Sequence, residues 1–91
     1  MVGFRISGHN GEAGQDILCA AVSSAAYLTA NTITDVIKAS AKVTVEDGYM
    51  LVRVSPKEAK DCRNIFAGFK LHMLGLEEQY PQNINVSYTE V

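Results

Sequence analysis

Ala41-Lys42-Val43-Thr44-Val45-Glu46-Asp47-Gly48-Tyr49-Met50-Leu51-Val52-Arg53-Val54 reads as two strands folded about a two-residue turn. Asp47-Gly48 suits the positive φ angles of a type I′ turn, whose twist matches that of the strands it joins. Counting outward from the turn sets Val45 opposite Met50, Val43 opposite Val52 and Ala41 opposite Val54. One face of the hairpin is therefore apolar throughout. The other face pairs Glu46 with Tyr49, Thr44 with Leu51 and Lys42 with Arg53, and that like-charged pair belongs in water. A hairpin apolar on one side needs a cover, and the flanking sequence supplies it.

Upstream, Val2, Phe4 and Ile6 alternate with Gly3, Arg5 and Ser7, the period of a half-buried strand. Gly8, Gly11 and Gly14 then interrupt regular structure. Asp16 is placed to cap a helix running from Ile17 to about Lys38, with a kink or split expected in the β-branched and polar stretch Thr29 to Thr34. The small residues Ala20, Ala21, Ala25 and Ala26 suit close packing on a sheet or on a second copy. Downstream, Ser55-Pro56-Lys57-Glu58 combines a capping box with proline at the first helical position, so a second helix starts there. Cys62, Ile65, Phe66, Phe69, Met73 and Leu76 recur at spacings of three and four and form its buried stripe. Pro81 ends this helix, and Ile84, Val86 and Tyr88 alternate with Asn85, Ser87 and Thr89 as a closing strand. The order β-α-β-β-α-β predicts an α+β domain over residues 1–91, a mostly antiparallel sheet packed with two helices.

Composition narrows the function. Eight basic and ten acidic side chains give a net charge of −2 without any block of one sign, which argues against a general nucleic-acid or membrane-surface binder. Apolar residues make up 47% of the chain, yet no run approaches the roughly 20 residues that span a bilayer. The start of the chain lacks the zones of a signal peptide, so a cytoplasmic location is expected, where the two cysteines remain thiols. At 91 residues burial only just offsets chain entropy, and a homodimer would help.

The candidate chemistry lies in Gly8-His9-Asn10-Gly11-Glu12-Ala13-Gly14-Gln15-Asp16-Ile17-Leu18-Cys19-Ala20-Ala21-Val22-Ser23. Cys19 falls in the first turn of a helix, among unpaired amides and at the positive end of the helix dipole, and both favour the thiolate. A small buried residue is the competing reading, since free cysteine is among the most buried types. His9, in a Gly-rich turn, could take the thiol proton and return it to a leaving amine; otherwise it is an exposed loop histidine. Asp16 serves as cap, and Ser23 lies four residues from Cys19 on the same helix face. Gly8, Gly11 and Gly14 could form a mobile flap or a phosphate cradle, but neither a P-loop ending nor a GxGxxG fingerprint follows. Cys62 and His72 stand almost three turns apart on one helix and cannot share a ligand, so no metal and no cofactor are expected.

The run Gly8-His9, a glycine-bearing loop and then Asp16-Ile17-Leu18-Cys19-Ala20-Ala21-Val22-Ser23 resembles the ribosomal-processing cysteine protease family, Prp. The resemblance implies a catalytic dyad of His9 and Cys19, with Asp16 and Ser23 in supporting positions. It further implies a bacterial homodimer that removes the N-terminal extension of ribosomal protein L twenty-seven, with a preference for aromatic residues before the cut. Members carry another strand before Val2-Gly3-Phe4, so an edge strand is expected to be missing here. The loop from Asn10 to Gln15 is also shorter than in many members and lacks their tyrosines.

These readings converge on a cysteine endopeptidase in which the amides of Cys19 and Ala20 bind the oxyanion. The alternative is a non-catalytic α+β module that binds a ribosomal or other protein tail along a sheet edge. No direct contact with nucleic acid or membrane is expected.

Overall fold

The computed structural model describes residues 1–7, 16–46, 49–80 and 85–89, and of residues 16–19 and 85 it describes the backbone alone. The hairpin has the register read from its turn: β2 (Ala41–Glu46) pairs with β3 (Tyr49–Val54) as Ala41 with Val54, Val43 with Val52 and Val45 with Met50. Asp47 and Gly48 themselves lie outside the described residues. β1 (Gly3–Ser7) pairs antiparallel with β3 on one side and with β4 (Asn85–Thr89) on the other, giving the order β2-β3-β1-β4. The chain from β1 to β2 passes over β3, and the chain from β3 to β4 passes over β1. These are two interleaved split βαβ units, the ferredoxin-like arrangement of an α+β domain.

Alternation along the strands sorts the two faces. Val2, Phe4 and Ile6 of β1 and its approach, with Met50, Val52 and Val54 of β3, join Val22, Ala26, Ala30, Ile33, Cys62, Phe66, Phe69 and Met73 in one buried cluster. The helical layer thus covers one face. Arg5 and Arg53 are exposed on the other. β2 reaches past the helices, so Val43 and Val45 remain 40% and 48% exposed although they share the apolar face.

The first helical arm divides where its sequence is rich in threonine. α1 spans Asp16–Asn31, and a π-helical turn follows at Thr32–Ile37 in place of one regular helix to Lys38. Three hydroxyls explain the change: Thr29 donates to the Ala25 carbonyl at 2.8 Å, Thr32 to Leu28 at 2.7 Å and Thr34 to Ala30 at 3.1 Å. Side chains that bond back to the fourth preceding carbonyl compete with the backbone ladder and loosen it. Lys38 then ends the arm in the left-handed region, at φ 63° and ψ 34°, and its amide donates to the Ile33 carbonyl.

The second arm departs from expectation in two ways. It is split into α2 (Pro56–Ala59) and α3 (Arg63–Gln79), and the Ser55 hydroxyl makes no capping bond. Instead the amides of Glu58 and Ala59 both donate to the Ser55 carbonyl at 3.0 Å. Bonds spanning three residues, Asp61 to Glu58 and Cys62 to Ala59, wind this stretch more tightly than an α-helix. The stripe read from the sequence forms from Cys62 onward, with Cys62, Phe66, Phe69 and Met73 buried and Ile65 and Leu76 half-buried. Pro81 and Ile84 lie outside the described residues. Beyond them, Lys70 Nζ sits 5.0 Å from the centre of the Tyr88 ring, a cation–π contact that ties α3 to β4.

Candidate active site

Ser7 ends β1 opposite both Tyr49 and Asn85, which defines one end of the sheet. Nine positions later Asp16 opens α1. Gly8, His9, Gly11 and Gly14 belong to the intervening segment, outside the described residues, as does the pairing of His9 with the Cys19 side chain. The backbone of Cys19 is in the first turn of α1, where amides have no intrahelical carbonyl to meet and the helix dipole is positive. Ala20 is exposed, and Ser23, one turn along, is half-buried. Asp16 is helical from the outset, so Cys19 is the fourth residue of the helix.

The other thiol has the opposite surroundings. Cys62 is free, fully buried at 0% exposure, and packed in the core cluster. Burial pushes its pKa up from the ordinary value of 9.0, and the nearby carboxylates of Asp61 and Glu58 push it further the same way. A thiol held protonated and shut off from solvent is a poor nucleophile.

A groove of about 400 Å³ follows α1 away from the Cys19 end, where α1 and α3 lie side by side. Ala21, Ser24, Ala25 and Leu28 form one wall, and Ile65, Gly68, Phe69 and His72 belong to the other. Its existence follows from small side chains at facing positions, which leave the two helices incompletely filled. The sequence shows the alanines but not that Gly68 lies across from them, because that pairing depends on how the arms cross. His72, read as a flank or interface residue, stands exposed at this groove. Among the described residues no cluster of histidine, cysteine and carboxylates could hold a metal ion, and no helix is long and apolar enough to cross a membrane.

An antiparallel split-βαβ sheet with a cysteine at the first helix start defines the class, and comparison with known proteins places the chain within it. The family model of the cysteine protease Prp matches residues 1–85, so the chain belongs to the Prp family of cysteine proteases. The fold is shared with an essential ribosomal processing protease, Prp, from S. aureus, solved in complex with a substrate peptide. The TM-score is 0.78 at 22% identity, over 90% of this chain and 81% of that one. It is shared too with SMU.848 from Streptococcus mutans, at a TM-score of 0.76 and 27% identity over 89% of this chain and 79% of that one. No curated protein matches.

Proposed function

We propose that this chain is a cysteine endopeptidase whose nucleophile is Cys19. One observation carries the choice: a family of cysteine proteases needs a reactive thiol, the chain has two cysteines, and Cys62 is sealed in the core with its pKa raised. Cys19, at the amides of a helix start, has the setting that favours a thiolate.

In this reading His9 removes the Cys19 proton, and the thiolate sulfur attacks the peptide carbonyl carbon. The amides of Cys19 and Ala20 receive the negative charge as the carbonyl oxygen becomes an oxyanion. Collapse of the tetrahedral intermediate breaks the C–N bond, with the His9 imidazolium giving its proton to the leaving amine. A water molecule then gives a proton to His9, attacks the thioester and releases the acid and the free thiol. Asp16 and Ser23 hold the helix start, and Gly8, Gly11 and Gly14 give the loop its freedom to admit a substrate. Every step uses side chains and water, with no cofactor.

The substrate in this reading is the N-terminal extension of bacterial ribosomal protein L twenty-seven, cut in the cytoplasm by a homodimer. Support comes from the family and from the shared fold with a ribosomal processing protease that binds a substrate peptide. The test is cleavage of a peptide carrying that extension. Cys19→Ala and His9→Ala should each lower kcat by at least about a hundredfold, while Cys62→Ala retains most of the activity. A Cys19→Ala protein as active as the wild type sinks the assignment.

A further inference from the structure

β2 is the outermost strand of the order β2-β3-β1-β4, and among the described residues nothing pairs with its outer edge. An unpaired edge is a row of free N–H and C=O groups ready to accept another strand, and proteins that avoid this blunt it with proline, a bulge, a very short strand or a run of charge, lysine above all. β2 has neither proline nor bulge, since Ala41–Glu46 pairs without interruption along its length, and its two charges, Lys42 and Glu46, are of opposite sign and so can meet across a two-fold seam instead of repelling it. On its helical face Val43 and Val45 are 40% and 48% exposed, while their partners Val52 and Met50 are buried. On its open face Lys42 stands directly opposite Arg53, a like-charged pair that favours a nearby anion.

We propose that β2 pairs antiparallel with β2 of a second copy, in the register that places Thr44 opposite its own mate. This rests on the dimer reading above and names the surface it uses. A two-fold axis through the sheet keeps both helical layers on one side, so residues facing each other must belong to the same face of the strand. Three centres satisfy this over most of the strand: Val43, Thr44 and Val45. Centring on Val43 sets Lys42 against Thr44, and centring on Val45 sets Glu46 against Thr44; neither matches charges. Centring on Thr44 sets Lys42 against Glu46 of the partner subunit, and does so twice. The row then reads Arg53, Lys42, Glu46 of the partner subunit, which places an anion beside the like-charged pair. On the helical face the same register sets Val43 against Val45 of the partner subunit, again twice, and brings four exposed valines together.

The result is a continuous eight-stranded sheet. Because the two β2 strands run in opposite directions, the starts of the two α1 helices lie at opposite ends of it, and each site acts by itself. Six residues a side make a short seam, so the dimer should dissociate on dilution.

The test uses sedimentation velocity on the full chain across a concentration series. The wild type should dimerise, and Lys42→Glu or Glu46→Lys alone should each raise the dimer dissociation constant by at least about tenfold, since either change sets like charges opposite each other at two places. The double variant restores opposite charges and should recover the dimer. Both side chains are exposed, so circular dichroism should be unchanged. In a Cys19→Ala background, Thr44→Cys should oxidise to a dimer linked through its own position, whereas Val45→Cys, which faces Val43 of the partner subunit, should not. A wild-type dimer indifferent to the charge changes, with no cross-link through position 44, overturns this seam and leaves the dimer reading standing. A wild type monomeric at every concentration overturns both. A monomer whose charge variants change peptide binding gives the edge to a substrate strand and also overturns the seam.

Discussion

The Phe4 ring stacks on the Phe69 ring with 3.9 Å between centroids and 24° between planes, while Phe66 meets Phe4 edge-on at 6.4 Å. Phe4 is fully buried. A central strand and the long helix are thereby joined by three aromatic rings, one pair stacked and the other T-shaped, the latter an arrangement that ring quadrupoles favour. Phe4→Ala should cost about 3–5 kcal/mol, a large share of the stability of a domain this small. Phe4→Leu, which keeps much of the volume, should cost less than half as much. Urea unfolding followed by circular dichroism measures both, and equal midpoints for the two variants would contradict a packing role for the ring.

Gly3, one position before Phe4, is buried against the backbone of β3. A Cβ added there would collide with the Val52 carbonyl oxygen and come within 2.9 Å of the Arg53 Cα. Neither neighbour is a flexible side chain, so the strand pair itself must spread. Gly3→Ala should therefore destabilise by about 1–3 kcal/mol, as overpacked sites do. Gly68→Ala and Gly75→Ala serve as contrasts, because a Cβ at either meets nothing within 4 Å. Each should stabilise α3 by about 0.5–1 kcal/mol through the entropy of the unfolded chain. Thermal melts should thus move in opposite directions for Gly3 and for the two helical glycines.

Lys38 is a non-glycine residue held at φ 63°. It ends the π-helical turn with its amide, and the amide of Ala39 donates to the same Ile33 carbonyl at 3.0 Å. The left-handed conformation costs an L-residue about 1–2 kcal/mol. Lys38→Gly keeps both amides and removes that strain, while the unfolded glycine chain takes back part of the gain. A net stabilisation of about 0.5–1 kcal/mol is expected. A melting temperature unmoved or lowered in Lys38→Gly would mean that the lysine side chain contributes contacts beyond its backbone role.

What could be read from the sequence follows how local its cause is. The hairpin register read outward from Asp47-Gly48 matched the structure pair by pair, and the alternation of Val2, Phe4 and Ile6 named the residues that β1 buries. The threonine-rich stretch announced a disturbance, but its form depended on which carbonyls Thr29, Thr32 and Thr34 reached. The break between α2 and α3 was hidden because Pro56 and Glu58 are good residues for a helix start. They begin a helix, and nothing local reveals that it ends at Ala59. For the site, Cys19 at a helix start was legible from Asp16 and the glycines before it. The groove was not, because Gly68 and Ala25 are separated in sequence and come to line one groove only through the crossing of α1 and α3.

The buried thiol makes stability depend on alkaline pH. Cys62 has its pKa raised by burial first, then by Asp61 and Glu58, above the ordinary value of 9.0 that it regains in the unfolded chain. Once pH passes that ordinary value, the unfolded chain releases the proton while the folded protein keeps it. The folded state then binds more protons than the unfolded one, and stability must fall with rising pH. Below the ordinary value both states are protonated and the group contributes no slope. Tyr88, also raised by burial and by Glu77, acts in the same direction from its ordinary value of 10.0 upward. The Cys62 contribution is therefore best read between these two values. Cys62→Ala should be less stable at neutral pH, by about 1 kcal/mol or more for the volume lost from the core. Its deficit relative to the wild type should shrink as pH rises from 9 toward 10, because only the wild type loses the Cys62 contribution. Urea unfolding of the two proteins at matched pH measures it, and a difference constant across that range would show that Cys62 titrates alike in the folded and unfolded chains.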